Sequence, residues 1–210
     1  MSDIKIKICG LTRAQDMQYV NEALPDYIGF VFAKSRRQVG PREAAELKSL
    51  LDCRIKAVGV FVNEDIPAVS DLCGGGVIDF IQLHGDENSE YIAGLRESLL
   101  KRNCLRPIIK AVRVRDAESV KSSEQYRCDY LLLDAHSGAE YGGTGRTFDW
   151  ELCRNVRKPF FLAGGLNPEN VISAVDAVRP YCLDVSSGVE TGGFKDKDKI
   201  IKLVNMIRGV

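Results

Sequence analysis

Short apolar, β-branched runs alternate with amphipathic segments along the whole chain. The apolar runs fall at 5–9, 27–32, 56–62, 80–83, 108–112, 130–134, 160–163 and 183–186. Most have the ~4–7 residues of a buried strand. The segments between them, 14–24, 41–51, 66–73, 89–100, 117–123, 149–156, 168–178 and 196–208, have helical character. Pro41 suits a first helical turn, and Asn167, before Pro168-Glu169, reads as an N-cap. Val171, Ile172, Val175 and Val178 form an apolar stripe at helical spacing. The polar stretch 113–123 predicts only a short or irregular helix.

Strand followed by helix, eight times, predicts an α/β fold: a single-domain (β/α)8 TIM barrel spanning residues 1–210. A doubly wound open sheet is the runner-up, because periodicity does not report closure. Both architectures put function at the C-terminal ends of the strands, so the residues after each apolar run matter most.

Composition narrows the classes of function. At 210 residues and 45% hydrophobic content the chain can bury a substantial core. Its 29 basic and 29 acidic residues cancel, so no global charge draws it to nucleic acid or to a membrane surface, and neither is expected as a partner. Any anion must be met by a local site. Seven cysteines without CxxC spacing argue against a disulfide framework and a zinc ribbon. No apolar run approaches the ~18–20 residues of a membrane span, and the expected location is cytoplasmic. With two histidines, His84 and His136, a histidine-rich metal centre is not expected.

The strand ends carry polar groups in order: Cys9, Arg36 and Arg37, Asn63, His84, Arg113, Asp134, Gly164-Gly165 and Ser187-Gly188. Cys9 ends a strand and precedes Gly10, a place for small core filler or for a nucleophile or base at a site mouth. Asp134 is the first ionisable group after Tyr130-Leu131-Leu132-Leu133, where it either caps the next loop or acts as a general acid. Glycines after the seventh and eighth strands let backbone N–H groups approach an anion, and these loops are the usual phosphate site of such barrels. Arg36 is a solvated loop charge or the holder of a substrate carboxylate. His84 and Asp184 are either satisfied polar residues or substrate contacts. The run 141–150 lacks the spacing of a nucleotide-binding loop and reads as a lid.

At these residues the chain resembles the phosphoribosylanthranilate isomerases of tryptophan biosynthesis. The match is carried by Lys7-Ile8-Cys9-Gly10-Leu11-Thr12, Phe32-Ala33-Lys34-Ser35-Arg36-Arg37, Gly59-Val60-Phe61-Val62-Asn63 and Gln82-Leu83-His84-Gly85. It continues through Gly142-Gly143-Thr144-Gly145, Phe148-Asp149-Trp150, Ala163-Gly164-Gly165-Leu166 and Asp184-Val185-Ser186-Ser187-Gly188-Val189-Glu190. Each segment alone is weak, but the ordered set, from Ile4 to about Val204, is specific.

The resemblance implies a (β/α)8 barrel performing an Amadori rearrangement without metal or organic cofactor, the third step of tryptophan synthesis from chorismate. It implies a general base at Cys9, a general acid at Asp134, an anthranilate contact at Arg36, and phosphate contacts at Gly164, Gly165, Ser187 and Gly188. The implied partner is a small phosphorylated substrate, with the protein a monomer or a homodimer. The histidine-pathway aminoaldose isomerases share the phosphate loops but end the first strand with aspartate, so Cys9 argues against them. A metal-dependent pentose-phosphate epimerase would want more histidines. A catalytically silent barrel that binds a phosphorylated ligand is the rival of a different class.

Overall fold

The computed structural model describes residues 4–134 and 150–209. Eight parallel strands, β1 (Lys5–Cys9), β2 (Tyr27–Val31), β3 (Lys56–Phe61), β4 (Phe80–Leu83), β5 (Ile108–Arg113), β6 (Tyr130–Asp134), β7 (Phe160–Ala163) and β8 (Cys182–Val185), pair in sequence order. β8 then pairs with β1, so the sheet is a closed barrel and not an open doubly wound sheet. Outside it run α1 (Ala14–Ala23), α2 (Pro41–Ser49), α3 (Ile66–Gly74), α4 (Ser89–Lys101), α5 (Ala117–Ser123), α6 (Val171–Val178) and α7 (Lys197–Arg208). No helix among the described residues is long and apolar enough to cross a membrane.

Period-two alternation sorts each strand into two cores. Ile6 and Ile8 of β1 point outward and join the main cluster beneath the helices, with Met17, Val20, Leu203 and Ile207. The opposite face points into the barrel. There Tyr27, Val58, Ile109, Leu132, Phe161 and Cys182 form a second apolar cluster. Tyr27, Phe80, Tyr130 and Tyr181 stand at or just before strand starts and interlock, with ring centroids 5.1 Å apart for Tyr27–Phe80 and 4.9 Å for Tyr130–Tyr181. The Tyr27 and Tyr181 hydroxyls meet at 2.7 Å. This aromatic plug closes the N-terminal end of the barrel and leaves the C-terminal end for polar groups.

Three elements differ from the sequence reading. The predicted 149–156 helix is a 3-10 turn, Trp150–Cys153, with Asp149 outside the described residues. Asn167 does accept backbone N–H groups through Oδ1, from Glu169 and Asn170. Those bonds stabilise a separate turn, however, and α6 itself starts at Val171. A small antiparallel hairpin, β9 (Glu190–Thr191) with β10 (Phe194–Lys195), was not anticipated. Two-residue strands carry too little periodicity to be read from the sequence. The polar stretch after β5 does form a helix, α5, because Asp116 Oδ1 accepts from the Ser119 N–H at 2.8 Å.

Candidate active site

The alternation that buries Ile6 and Ile8 outward directs Lys5, Lys7 and Cys9 inward. Cys9 pairs in register with Gly29 of β2. A β-carbon at Gly29 would lie 2.6 Å from Cys9 Sγ, so the glycine provides the space the thiol occupies. On the other flank Ser186 Oγ donates to the Cys9 carbonyl at 2.9 Å. Both neighbouring strands therefore hold the end of β1 in place.

Beneath Cys9 lies a fully buried lysine. Lys7 Nζ donates to Asp184 Oδ2 at 2.7 Å and to Gln82 Oε1 at 2.8 Å. Burial works to lower the Lys7 pKa, but the charges of Asp184 and Cys9 outweigh it and hold the ammonium above the usual lysine value. Removing either partner would strand a buried charge, at a cost of about 3–5 kcal/mol. Asp184 Oδ1 is buried and accepts no hydrogen bond from the described residues.

Burial is also the largest influence on Cys9 and pushes its thiol above the ordinary value; Lys7 and Lys195 oppose this and Asp184 adds to it.

A second ionic cluster stands over the β8 side. Arg37 Nε and Nη2 grip the two oxygens of Glu190 at 2.8 and 2.9 Å, and Lys195 Nζ reaches Glu190 Oε1 at 2.8 Å. Burial alone would raise Glu190, but Arg37 and Lys195 bring it to about 2. Lys195 also donates to the Ser186 carbonyl, which ties the hairpin to the strand end beside Cys9. Across the mouth, Lys110 Nζ meets Glu87 Oε2 at 3.0 Å and the Gly85 carbonyl at 2.7 Å. Glu87 accepts the Asn63 and Gly85 N–H groups as well, so the turns after β3 and β4 are fixed where His84 projects.

Cys9, His84, Asp134, Gly164, Gly165, Asp184 and Ser187 all line one cavity of about 500 Å³ at the C-terminal end of the barrel. Gly164 and Gly165 have φ of 97° and 66°, which glycine adopts readily. Gly188 sits just behind: a β-carbon there would collide with the Leu166 carbonyl, so this glycine lets the loops after β7 and β8 abut.

Arg36 is the exception. Its side chain is 61% exposed, it turns onto Glu190 at 2.9 Å, and it does not line the cavity. Arg37 lines it instead. The cause is local, because the Arg37 stem crosses Gly10, where no side chain obstructs it.

Sequence reading named Arg37 at a strand end without giving it a role, and it gave none to Lys7, Gln82, Glu190 or Lys195. A lysine in the inward phase of a buried strand, two positions before Cys9, was the signal for Lys7. The predicted lid at 141–150 lies outside the described residues except for Trp150, and His136 lies outside them too. A larger cavity of about 630 Å³ sits between α2 and α3, away from these groups. Among the described residues no cluster of three or more His, Cys, Asp or Glu could hold a metal.

Convergence of a thiol, a carboxyl, an arginine and two glycine loops on one cavity suits proton transfer on an anchored anion. The family model described as N-(5'-phosphoribosyl)anthranilate isomerase matches residues 6–206. An N-(5'-phosphoribosyl)anthranilate isomerase of Endomicrobium trichonymphae is 48% identical over 206 residues, covering 98% of this chain and 99% of that one. The crystal structure of the Thermotoga maritima phosphoribosyl anthranilate isomerase superposes with a TM-score of 0.84 at 38% identity, covering 99% of this chain and 100% of that one. A phosphoribosyl anthranilate isomerase solved in complex with reduced 1-(o-carboxyphenylamino)-1-deoxyribulose 5-phosphate superposes at 0.82, with 36% identity, covering 99% of this chain and 100% of that one.

Proposed function

Since the chain belongs to the N-(5'-phosphoribosyl)anthranilate isomerase family, we propose that Cys9 and Asp134 are the base and the acid of its reaction. The protein is an isomerase that converts N-(5'-phosphoribosyl)anthranilate to 1-(2-carboxyphenylamino)-1-deoxyribulose 5-phosphate in tryptophan biosynthesis.

Asp134 gives a proton to the ribose ring oxygen as the bond from C1′ to that oxygen breaks, and the anilino nitrogen lone pair forms an iminium. The positive charge acidifies the proton on C2′. Cys9, as thiolate, takes that proton, and the electron pair left behind forms a C1′=C2′ bond while neutralising nitrogen. The resulting enolamine tautomerises to the ketone, with C1′ gaining a proton and the C2′ hydroxyl losing one. Cys9 acts as a base throughout and forms no covalent bond to substrate.

One observation carries this reading: Cys9 and Asp134 face a single cavity whose third wall is made by the glycine loops after β7 and β8. Phosphate held at Gly164, Gly165, Ser187 and Gly188 would anchor the sugar so that acid and base address adjacent atoms. Asp184, which lines the same cavity, is the substrate contact on the β8 side. Purified protein should turn over phosphoribosylanthranilate in the presence of chelator. Absence of turnover by well-folded protein would return the silent barrel to first place.

Arg37 commits both Nε and Nη2 to Glu190, whereas Arg36 touches it through Nη2 alone and is 61% exposed, so Arg36 has the guanidinium better able to take the anthranilate carboxylate. Steady-state kinetics should show Arg36→Ala raising KM more than it lowers kcat. An unchanged KM would count against that assignment.

A further inference from the structure

A directional chain of hydrogen bonds runs from Lys7 through Gln82 to His84, whose far ring nitrogen faces Asp134, and its polarity is fixed at one end. Lys7 Nζ is an ammonium with donors only, so the group 2.8 Å away on Gln82 must be the amide oxygen. That choice leaves the Gln82 Nε2 amide facing His84 Nδ1 at 2.9 Å. An amide NH2 only donates, so His84 Nδ1 must accept and carries no proton. The ring proton then sits on Nε2, which lies 3.5 Å from Asp134 Oδ2.

We propose that Gln82 sets the tautomer of His84, holding it as the neutral Nε2–H form that turns its N–H toward the Asp134 carboxyl. Gln82 is thereby a positioning residue for the acid, and Lys7 is the group that orients Gln82. The inference deepens the function proposed above and rests on Asp134 being the acid.

The alternatives are each opposed by the geometry. The Nδ1–H tautomer would set a ring N–H against the amide N–H at 2.9 Å, two donors facing each other. It would also present a bare Nε2 lone pair to Asp134, which would draw away the proton the reaction needs. A doubly protonated ring meets the same clash at Nδ1 and would place a second acid beside the first. The 3.5 Å separation is long for a hydrogen bond, but an N–H dipole at that distance still favours a carboxyl in a fixed orientation. Burial gives the arrangement its rigidity: Gln82 is 1% and Lys7 0% exposed, so water does not compete for the amide.

The ring nitrogens report this directly. The chain has two histidines, so protein labelled with 15N-histidine gives two sets of imidazole signals, and a His136→Gln sample identifies those of His84. Long-range 1H–15N correlation should show His84 with its proton on Nε2 and a bare Nδ1 near neutral pH. A signal from the Nδ1–H tautomer, or from imidazolium, would overturn the proposal without touching the assignment of Asp134.

Gln82→Glu should reverse the polarity, since a carboxylate accepts from both Lys7 and His84 and draws a proton to Nδ1. Gln82→Met, close in shape but without the amide, should give mixed tautomers. Both should lower kcat by about tenfold to a hundredfold with KM little changed. A shifted tautomer with unchanged kcat would remove Gln82 from the reaction. Full activity of Asp134→Asn would instead defeat the acid assignment, while leaving the tautomer result intact.

Discussion

Replacing Asp134 by asparagine should lower kcat about a thousandfold, within the range for losing a positioned proton donor, while a product analogue still binds. The two side chains are nearly the same size, and asparagine Oδ1 can face His84 Nε2 as the carboxylate does at 3.5 Å. What is lost is the proton. Without it the ring oxygen must leave as an alkoxide, and the iminium that acidifies C2′ does not form. Single-turnover measurement of the analogue-binding variant separates this from weak binding. Retention of a tenth or more of wild-type turnover would move the acid role elsewhere in the cavity, with His84 the nearest alternative.

The barrel was legible in the sequence because a strand buried on both faces reads as an apolar run, and eight such runs leave few other folds. Closure was not legible. It depends on β8 meeting β1, a pairing across the full chain that leaves no local trace. The lining of the cavity was legible where a polar group interrupts an apolar run at its C-terminal end, as with Cys9, His84 and Asp134. It was illegible where side-chain direction decides which group faces the cavity. Arg36 and Arg37 are adjacent in sequence and both reach Glu190, but the Arg37 stem runs over Gly10 and lines the cavity while Arg36 stays largely exposed. Asp184 illustrates a third case. Its position reads as either structural or substrate-facing, and the structure puts its two oxygens in different surroundings. Oδ2 neutralises Lys7, while Oδ1 receives no donor from the described residues.

Cys9→Ser should cost about as much as loss of the acid, about a thousandfold in kcat, because a hydroxyl is far harder to ionise than a thiol. The pH dependence makes the pair of variants decisive. A carboxyl ordinarily ionises near ~3.9 and a thiol near ~8.5, and burial raises Cys9 further. The productive form, thiolate with carboxylic acid, is therefore the minor of two microstates that hold the same number of protons.

The ratio of those microstates does not change with pH, so wild-type kcat/KM should show a broad plateau. Its alkaline limb should begin above the usual thiol range, because it is set by Cys9. In Asp134→Asn the residual rate needs only thiolate and should climb about tenfold per pH unit below the Cys9 ionisation. In Cys9→Ser it needs only the carboxylic acid and should fall about tenfold per unit above the Asp134 ionisation. Opposite slopes in the two variants, with a flat wild type between them, identify which residue takes the proton and which gives it. Parallel slopes would mean that Cys9 and Asp134 do not act as base and acid. Alkylation of Cys9 followed by peptide mass spectrometry gives the thiol's ionisation independently, and it should coincide with the alkaline limb.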